Sequence, residues 1–523
     1  MIVPGASALL LALSYPPLHP LVIPFAGLVP FAVWVARRSD DDRGRAASTR
    51  GGALLGAIYV TVLCWWVLAS LLRTTRLAVP VFLAGVTLVA LVAALFGRVL
   101  HHAVRGVRAP LWLALPVTWT GFEWTLAHLP GGLAFPWLGL GTSLTGFPEL
   151  VGIAELVGAR GVTFWIALVN GLLAAALLAG FGRARRSRYL AAAVVVLLVP
   201  MAWGAWRART IEVRSVGSVA VVQTDVPGAV RLRDPSAARD SAHAALERLL
   251  PTIATGSVGL VVLPEVALPV EPDRAAAAAD MDRLRQHARE LDAPILFGAW
   301  GRDPDADDGS EGARYNSAFV MGVGGLDDFR YDKHRLVPLV EHTPLVTSSL
   351  LSFPLGTGSY GVGQGRPLAV VDRNSFAVLI CFESAFEADA RAARNAGADV
   401  LVNITSDAWF GTEPSEARTT VLWQHPAHMV MRAIENRAGV ARASNRGISL
   451  FVDPLGHVHD ATRPFEEAVR VAEVTTTDVT TVYARMGDVT GNACAVVAFL
   501  LLLSSFRRGV SASGRGTGRP EGG

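Results

Sequence analysis

Residues 376–384 read FAVLICFES, a short apolar run that passes directly into a cysteine, a phenylalanine and a glutamate. An apolar run of this length bounded by polar residues is typical of a buried strand, and this one ends on Cys381. Similar runs occur at 218–223, 259–263, 294–298, 399–403 and 448–452. Helical patterns occur at 235–250, 274–291 and 417–438. This alternation of strands and helices predicts an α/β domain over residues 207–488.

Two more reactive side chains follow strand-like runs. Glu265 lies in LPEVALP (263–269), and Lys333 lies in YDKHRLVP (331–338). Reactive groups gather at the ends of strands in open α/β sheets. Taken singly, Glu265 also fits a solvated cap and Cys381 a packing residue. Lys333 is the only lysine among 47 basic residues. It is either a surface residue that remained lysine by chance or a residue with a function that arginine cannot perform.

Together the three residues have the chemistry of acyl transfer. A cysteine thiol needs a base or a positive neighbour to act as a nucleophile near neutral pH. Glu265 is the candidate general base and acid for Cys381. Lys333 is the candidate oxyanion stabiliser, together with the backbone N–H of Phe382. We therefore predict a Glu265–Lys333–Cys381 triad.

Several classes of site and partner are not indicated. Cys64 and Cys494 lie in apolar runs, so Cys381 is the only cysteine of the globular part, and no disulfide or zinc spacing exists. We expect no metal and no cofactor. The net charge of +3 gives no reason to expect a nucleic-acid partner. The polar segment 301–314 reads as a surface loop.

The rest of the chain is strongly apolar and predicts a helical membrane domain. Stretches of about 20 apolar residues are typical of membrane-spanning helices. We place spans near 5–16, 21–36, 51–71, 78–97, 110–127, 151–180, 189–206 and 489–506. Residues 1–206 thus form a membrane domain with about seven spans, and 489–506 form the last one. Glu123 lies within a span, where it either faces a cavity or partner or is wet at the outer interface.

Arginine clusters predict the orientation. They occur in the segments 37–50, 98–108, 183–188 and 507–519. The opposite loops carry only Arg73 and Arg76. Positive residues stay on the cytoplasmic side, so we expect both termini inside and the 207–488 domain outside the membrane. The Gly/Ser/Arg-rich tail, 507–523, is predicted to be disordered.

The segments LPEVALP, YDKHRLVPLVEHTP and LICFES resemble the nitrilase (carbon–nitrogen hydrolase) superfamily. The whole chain resembles the apolipoprotein N-acyltransferase family, the membrane-embedded branch of that superfamily. Further matching segments are FPWLGLG (135–141), NITSDAWFG (403–411), ASNRGISLFVDPLG (443–456) and TVYARMGD (481–488). The order of seven spans, a nitrilase domain and one closing span is uncommon, which makes the resemblance specific.

The resemblance implies an αββα sandwich in a bacterial inner (plasma) membrane protein. It also implies a two-step reaction. Cys381 takes a fatty acyl chain from a phospholipid as a thioester, and the acyl group then passes to the α-amino group of the diacylglyceryl cysteine of an apolipoprotein. Glu341 and Glu383 are expected to support the triad, although each also fits a buried glutamate held by backbone donors.

The chain departs from the family pattern at three places near these motifs. Leu263 stands where tryptophan is frequent, Leu339-Val340 where Phe-Gly is usual, and Ser406 where asparagine is usual. Glycine allows backbone conformations that valine does not, so the second departure concerns the shape of the loop between Lys333 and Glu341.

Two other functions remain open from the residues alone. One is a membrane-tethered amidase or nitrilase that hydrolyses a small C–N compound. The other is a membrane scaffold with a degenerate nitrilase fold. The preceding spans favour a lipid substrate over a soluble one, because acyl chains must stay in an apolar environment. The intact set of Glu265, Lys333 and Cys381 argues against a scaffold.

Overall fold

The computed structural model describes residues 2–227, 235–303, 312–338, 340–342, 360–410 and 419–513. Most of the segment 301–314, the residue Leu339 and the tail beyond Ser513 lie outside this part of the chain. The described residues form a helical membrane domain and an α/β domain.

The membrane domain consists of eight helices at the N-terminal end of the chain and one near its C-terminal end. They are α1 Ile2–Ala12, α2 Val29–Ala36, α3 Asp42–Leu63, α4 Trp65–Thr74, α5 Ala78–His101, α6 Leu111–Ala127, α7 Ala154–Leu178, α8 Arg183–Thr210 and, after the α/β domain, α14 Val489–Ser513. Among the described residues, five helices are long and apolar enough to cross a membrane, and these are α3, α5, α7, α8 and α14.

The other predicted spans are shorter than expected. The spans predicted at 5–16, 21–36 and 110–127 correspond to an 11-residue helix, to the helical segment Ile23–Ala36 and to a 17-residue helix. Prolines account for the first two, since Pro16, Pro17 and Pro20 lie between α1 and α2 and cannot donate a backbone hydrogen bond. The span predicted at 51–71 is two helices, α3 and α4, separated at Cys64. Helix α3 also begins earlier than predicted, where Asp41 caps it by accepting from the Gly44 N–H.

Helices α3 and α5 approach each other through glycine. A Cβ atom on Gly52 would lie 2.2 Å from the carbonyl oxygen of Ala93, and one on Gly97 would lie 2.3 Å from that of Ser48. The two backbones are therefore in direct contact, as small residues allow in membrane helix pairs.

Two six-stranded mixed sheets form the centre of the α/β domain. The strands are β1 Arg214–Gln223, β2 Leu260–Val262, β3 Ile295–Arg302, β4 Arg314–Gly322, β5 Gly325–Asp332, β6 Leu368–Val371, β7 Asn374–Ile380, β8 Val400–Ser406, β9 Gly439–Asn445, β10 Leu450–Val452, β11 Val458–His459 and β12 Ala468–Thr476. The first sheet has the order β12-β1-β2-β3-β4-β5, and the second has the order β11-β10-β9-β8-β7-β6. Strands β1–β3 and β7–β9 are parallel, and the flanking strands are antiparallel.

Helices cover the outer faces of both sheets. Outside the first sheet lie α9 Pro235–Leu249 and α10 Ala278–Leu291, and outside the second lie α11 Glu387–Asn395 and α12 Val421–Asn436. Successive residues of β7 alternate between two cores, with Val378 facing the first sheet and Leu379 facing the helices. Burial on both faces explains why this strand reads as a continuous apolar run. The predicted αββα sandwich and its combination with a helical membrane domain are confirmed.

The helical layer of the second sheet shares one hydrophobic core with the membrane domain. Ala390 of α11 and Met429 of α12 belong to the same buried cluster as Trp119 of α6 and Ile166 of α7. The short helix α13, Val482–Met486, then leads from the sandwich into α14. The α/β domain is thus packed directly on the membrane helices.

The glycine contact between α3 and α5 yields a stability prediction. Gly97→Ala places a methyl group against the Ser48 carbonyl, so we expect it to cost about 1–3 kcal/mol of stability. Gly85→Ala is the matched control, because a Cβ atom there meets nothing within 4 Å on the same helix. Thermal unfolding in detergent measures both variants. Equal thermal midpoints for the two variants would contradict the direct backbone contact between α3 and α5.

Candidate active site

The three residues of the predicted triad follow three different strands. Glu265 follows β2, Lys333 follows β5, and Cys381 follows β7 at the start of a 3-10 turn, Cys381–Ala385. Glu265 and Lys333 are buried, and Cys381 is partly exposed. The fold brings Glu265 and Lys333 into contact across the first sheet, with 3.2 Å between the Nζ and Oε1 atoms.

Lys333 lies between two carboxylates. Its ammonium donates to Oε1 of Glu265 and, at 2.9 Å, to Oε1 of Glu341. The side-chain amide of Asn316 in β4 also donates to both carboxylates, at 2.7 Å and 3.1 Å. Burial alone lowers the pKa of a lysine, but the charges of Glu265 and Glu341 raise the pKa of Lys333 well above its ordinary value. This direction favours the charged ammonium at neutral pH.

Backbone donors hold the second oxygen of each carboxylate. Oε2 of Glu265 accepts from the Ser406 N–H at 2.8 Å, and Oε2 of Glu341 accepts from the Val337 N–H at 2.8 Å. Serine instead of the usual asparagine at position 406 therefore leaves the hydrogen bond to Glu265 in place, because the backbone N–H makes it. The hydrogen bond between Val337 and Glu341 closes the loop in which Leu339-Val340 replaces the usual Phe-Gly. Val340 is among the described residues, and Leu339 is not.

Cys381 adopts a left-handed backbone conformation, with φ of 53°. Such a conformation is uncommon outside glycine and needs support from its surroundings. Desolvation and the negative charge of Glu265 raise the pKa of the Cys381 thiol, while the Lys333 ammonium and a hydrogen bond with Thr405 oppose the rise. The thiol is therefore protonated in the resting protein and requires a base.

Glu383 ties the cysteine turn to the lysine loop. One of its oxygens accepts from the His334 N–H at 2.6 Å and the Arg335 N–H at 3.2 Å. The other accepts from the Tyr331 hydroxyl at 2.8 Å and the Ile380 N–H at 2.7 Å. Burial and the nearby charge of Asp389 raise the pKa of Glu383 to about 7 despite these donors. These hydrogen bonds of Glu383 join the segments that carry Lys333 and Cys381.

Aromatic side chains of the membrane domain face Phe382, the residue after Cys381. The Phe382 ring stacks on Trp137, with 6.3 Å between centroids, and on Phe135, with 6.1 Å. Both residues belong to the FPWLGLG segment, which follows α6. Trp137 and Trp66 donate their Nε1–H groups to Oε1 of Gln424 in α12. The membrane domain therefore supplies one wall of the site.

Glu123 is buried inside the membrane domain and has protein partners. It accepts hydrogen bonds from the Trp119 Nε1–H, the Leu140 N–H and the Thr163 hydroxyl, at distances of 2.8–2.9 Å. It also borders a small cavity beside Arg160 and His428. Of the two expectations for Glu123, the one with a partner and a cavity is therefore confirmed.

Sequence reasoning missed Asn316, Tyr331 and Asp407. A signal for Asn316 was present, since asparagine is depleted in strands and here lies in β4 just before its apolar run. Asp407 follows β8 in the same way that Cys381 follows β7, so its place at a strand end was visible too. Tyr331 carries no such signal.

Family models match the chain in two parts. Residues 7–172 match the N-terminal domain of apolipoprotein N-acyltransferase, and residues 218–484 match the carbon–nitrogen hydrolase domain. An apolipoprotein N-acyltransferase of Geobacter metallireducens is 33% identical over 96% of this chain and 94% of its own length. The chain belongs to the apolipoprotein N-acyltransferase family.

Another relative carries the same name, and one solved structure is similar to part of the chain. The apolipoprotein N-acyltransferase of Chlorobaculum tepidum is 29% identical over 76% of this chain and 77% of its own length. A CN-hydrolase superfamily protein from Xanthomonas campestris is 20% identical, covers 49% of this chain and 90% of its own, and has a TM-score of 0.35. That score is below 0.5, and the fold assignment rests on the two sheets and the family match. The resemblance inferred from the motifs is confirmed.

Glu383 gives a prediction about pH. Its pKa is raised from 4.5 to about 7, so the folded state favours the protonated form. Its contribution to stability is fully present below pH 4.5 and is lost as the pH rises through 7. We expect Glu383→Gln to remove this loss, which is on the order of 3 kcal/mol at most. The thermal midpoints of the wild type and of Glu383→Gln are measured in detergent from pH 4.5 to pH 8, and the difference between them should change over this range. A constant difference across that range would contradict the raised pKa.

Proposed function

We propose that this protein transfers a fatty acyl chain from a membrane phospholipid, through a thioester on Cys381, to the α-amino group of the N-terminal diacylglyceryl cysteine of an apolipoprotein. The observation that carries the proposal is the buried Lys333 ammonium, held against Glu265 at the strand ends beside Cys381, on a domain packed against membrane helices. The names of the relatives support the acceptor and the reaction class.

The first step forms the acyl-enzyme. Glu265 takes the proton of the Cys381 thiol, and the sulfur attacks the ester carbonyl of the phospholipid. Lys333 and the Phe382 N–H stabilise the oxyanion. The C–S bond forms, the ester C–O bond breaks, and Glu265 returns the proton to the lysophospholipid oxygen that leaves. The raised pKa of the thiol supports this sequence, because the proton must be removed when the substrate is in place.

In the second step Glu265 acts as the base again, and the Cys381 sulfur becomes the leaving group. The α-amino group of the apolipoprotein attacks the thioester carbonyl, with Glu265 as the base. The C–N bond forms, the C–S bond breaks, and the proton returns to the Cys381 thiolate. The two substrates therefore react in turn, a ping-pong mechanism. Glu341 and Asn316 hold Lys333 and Glu265 in place for both steps, and Glu383 positions the loops that carry Lys333 and Cys381.

The membrane placement belongs to the same proposal. The protein lies in the bacterial inner membrane as a multi-pass protein, with the catalytic domain outside and both termini in the cytoplasm. Five helices of spanning length and the arginine clusters in the alternate loops support this arrangement. The aromatic wall of Trp137 and Phe135 brings Cys381 next to the membrane domain, where a lipid ester is available.

Mass spectrometry of the protein mixed with phospholipid in detergent micelles tests the proposal. We expect a fatty acyl adduct on the peptide that contains Cys381, since this thiol is partly exposed at a strand end. Cys381→Ala should abolish both the adduct and acyl transfer to a lipopeptide. Cys64→Ala is the matched control and should keep both, because that thiol is buried in the membrane domain. Transfer at the wild-type rate by Cys381→Ala would exclude the mechanism. Hydrolysis of a small amide without an adduct from phospholipid would favour the amidase.

Lys333→Arg is the second test. Arginine has replaced lysine at every other basic position, so this change is tolerated if charge alone matters. The Lys333 site is closed between two carboxylates, and a planar guanidinium does not fit a pocket shaped for a compact ammonium. We expect the single-turnover rate of thioester formation to fall at least ~10²-fold, as for one misplaced oxyanion donor. A rate near that of the wild type would remove Lys333 from the mechanism.

A further inference from the structure

His425 of α12 lies behind the nucleophile and touches its backbone. Its Nε2 atom is 3.1 Å from the carbonyl oxygen of Cys381, and its Nδ1 atom is 2.9 Å from Oδ1 of Asp407. The side chain is buried, and the Trp137 ring lies beside it, with 5.5 Å between the ring centroids. His425 is thus fixed between an aspartate and the peptide that follows the reactive cysteine.

Both partners of His425 are acceptors. A backbone carbonyl cannot donate, and an ionised aspartate cannot donate either. Burial alone raises the pKa of Asp407, but the charges of His425 and Arg442 and several hydrogen bonds lower it to about 2. The other Asp407 oxygen accepts from Arg442 and the Ser444 hydroxyl, each at 3.0 Å. Because a carbonyl oxygen can only accept, the hydrogen bond at Nε2 is donated by His425, and the aspartate at Nδ1 holds the ring in place.

The Cys381 carbonyl belongs to the same peptide plane as the Phe382 N–H. A trans peptide is planar, with its C=O and N–H groups pointing in opposite directions. A donor that fixes the carbonyl therefore fixes the direction of the N–H. This matters at Cys381, because its left-handed φ of 53° is a conformation that its surroundings must hold. A donor at the carbonyl also polarises the peptide and strengthens its N–H as a donor.

We propose that His425, anchored by Asp407, is a positioning residue that holds the Cys381–Phe382 peptide so that the Phe382 N–H points at the oxyanion. This inference rests on the oxyanion role of that N–H in the proposed function. It assigns His425 no contact with substrate. The residue acts through the peptide of the nucleophile and contributes only to steps that pass through a tetrahedral oxyanion.

Two reactions of Cys381 separate this role from a general structural one. Acylation by p-nitrophenyl hexanoate forms an oxyanion, whereas alkylation by iodoacetamide does not. In His425→Ala we expect the acylation rate to fall at least about tenfold, as a weakened oxyanion donor requires. The alkylation rate should stay within about threefold, and the KM for the ester within about twofold. His425→Gln keeps an N–H donor in place and should fall between the wild type and the alanine variant.

His428→Ala is the matched control. His428 lies one turn further along α12, is buried, and packs edge-on against Trp137 with 4.7 Å between the ring centroids. We expect both of its rates to stay within about threefold of the wild type. Peptide mass spectrometry assigns each product to Cys381. If His425→Ala does not fold, the same comparison of the two rates is made with His425→Gln.

Three results would overturn the inference. They are an unchanged acylation rate in His425→Ala, an equal fall of both rates, and a wild-type Cys381 that the ester does not acylate. Failure of the proposed function has a different signature. The wild type would then be acylated by the ester but not by phospholipid, and the comparison of His425 variants would still stand.

Discussion

The buried ammonium of Lys333 sets the conditions that the rest of the site meets. A charge taken out of water is costly unless opposite charges and hydrogen bonds compensate it. Glu265 and Glu341 supply those charges, and each carboxylate in turn requires donors of its own. Asn316 and two backbone N–H groups provide them. The loops after β2, β5 and β8 are therefore bound to one another through a single cation.

A second constraint comes from the membrane domain. The outer helices of the second sheet, α11 and α12, share a core with the membrane helices, and nearly every residue of α12 is buried. Gln424 in α12 accepts from Trp66 and Trp137 and donates to the Leu63 carbonyl. Its neighbour His425 reaches the Cys381 carbonyl. The backbone of Cys381 is thus in contact with a helix that the membrane domain holds.

The sequence was sufficient for the architecture and for the residues at strand ends. Glu265, Lys333 and Cys381 each follow an apolar run, and the parallel order of such runs places their ends together. Asn316 and the Asp407–His425 pair were not predicted, because their positions at strands do not show which side chains they contact. The strands β4, β6, β9, β11 and β12 were also missed, because β6 and β11 have only four and two residues and because polar residues lie within β4, β9 and β12. The short helices α1 and α2 were overestimated as spans, because apolar composition alone does not show where prolines end a helix.

The charges around the triad also bear on how the thiol reacts. Desolvation and the negative charges of Glu265 and Asp407 raise the pKa of the Cys381 thiol, and the Lys333 ammonium opposes them. A preformed thiolate–cation pair, as in other cysteine enzymes, is disfavoured here. In the proposed reaction the proton passes to Glu265 as the carbon–sulfur bond forms, when negative charge moves from the sulfur to the oxyanion beside Lys333. A thiol held in this way stays protonated until an ester carbonyl occupies the site.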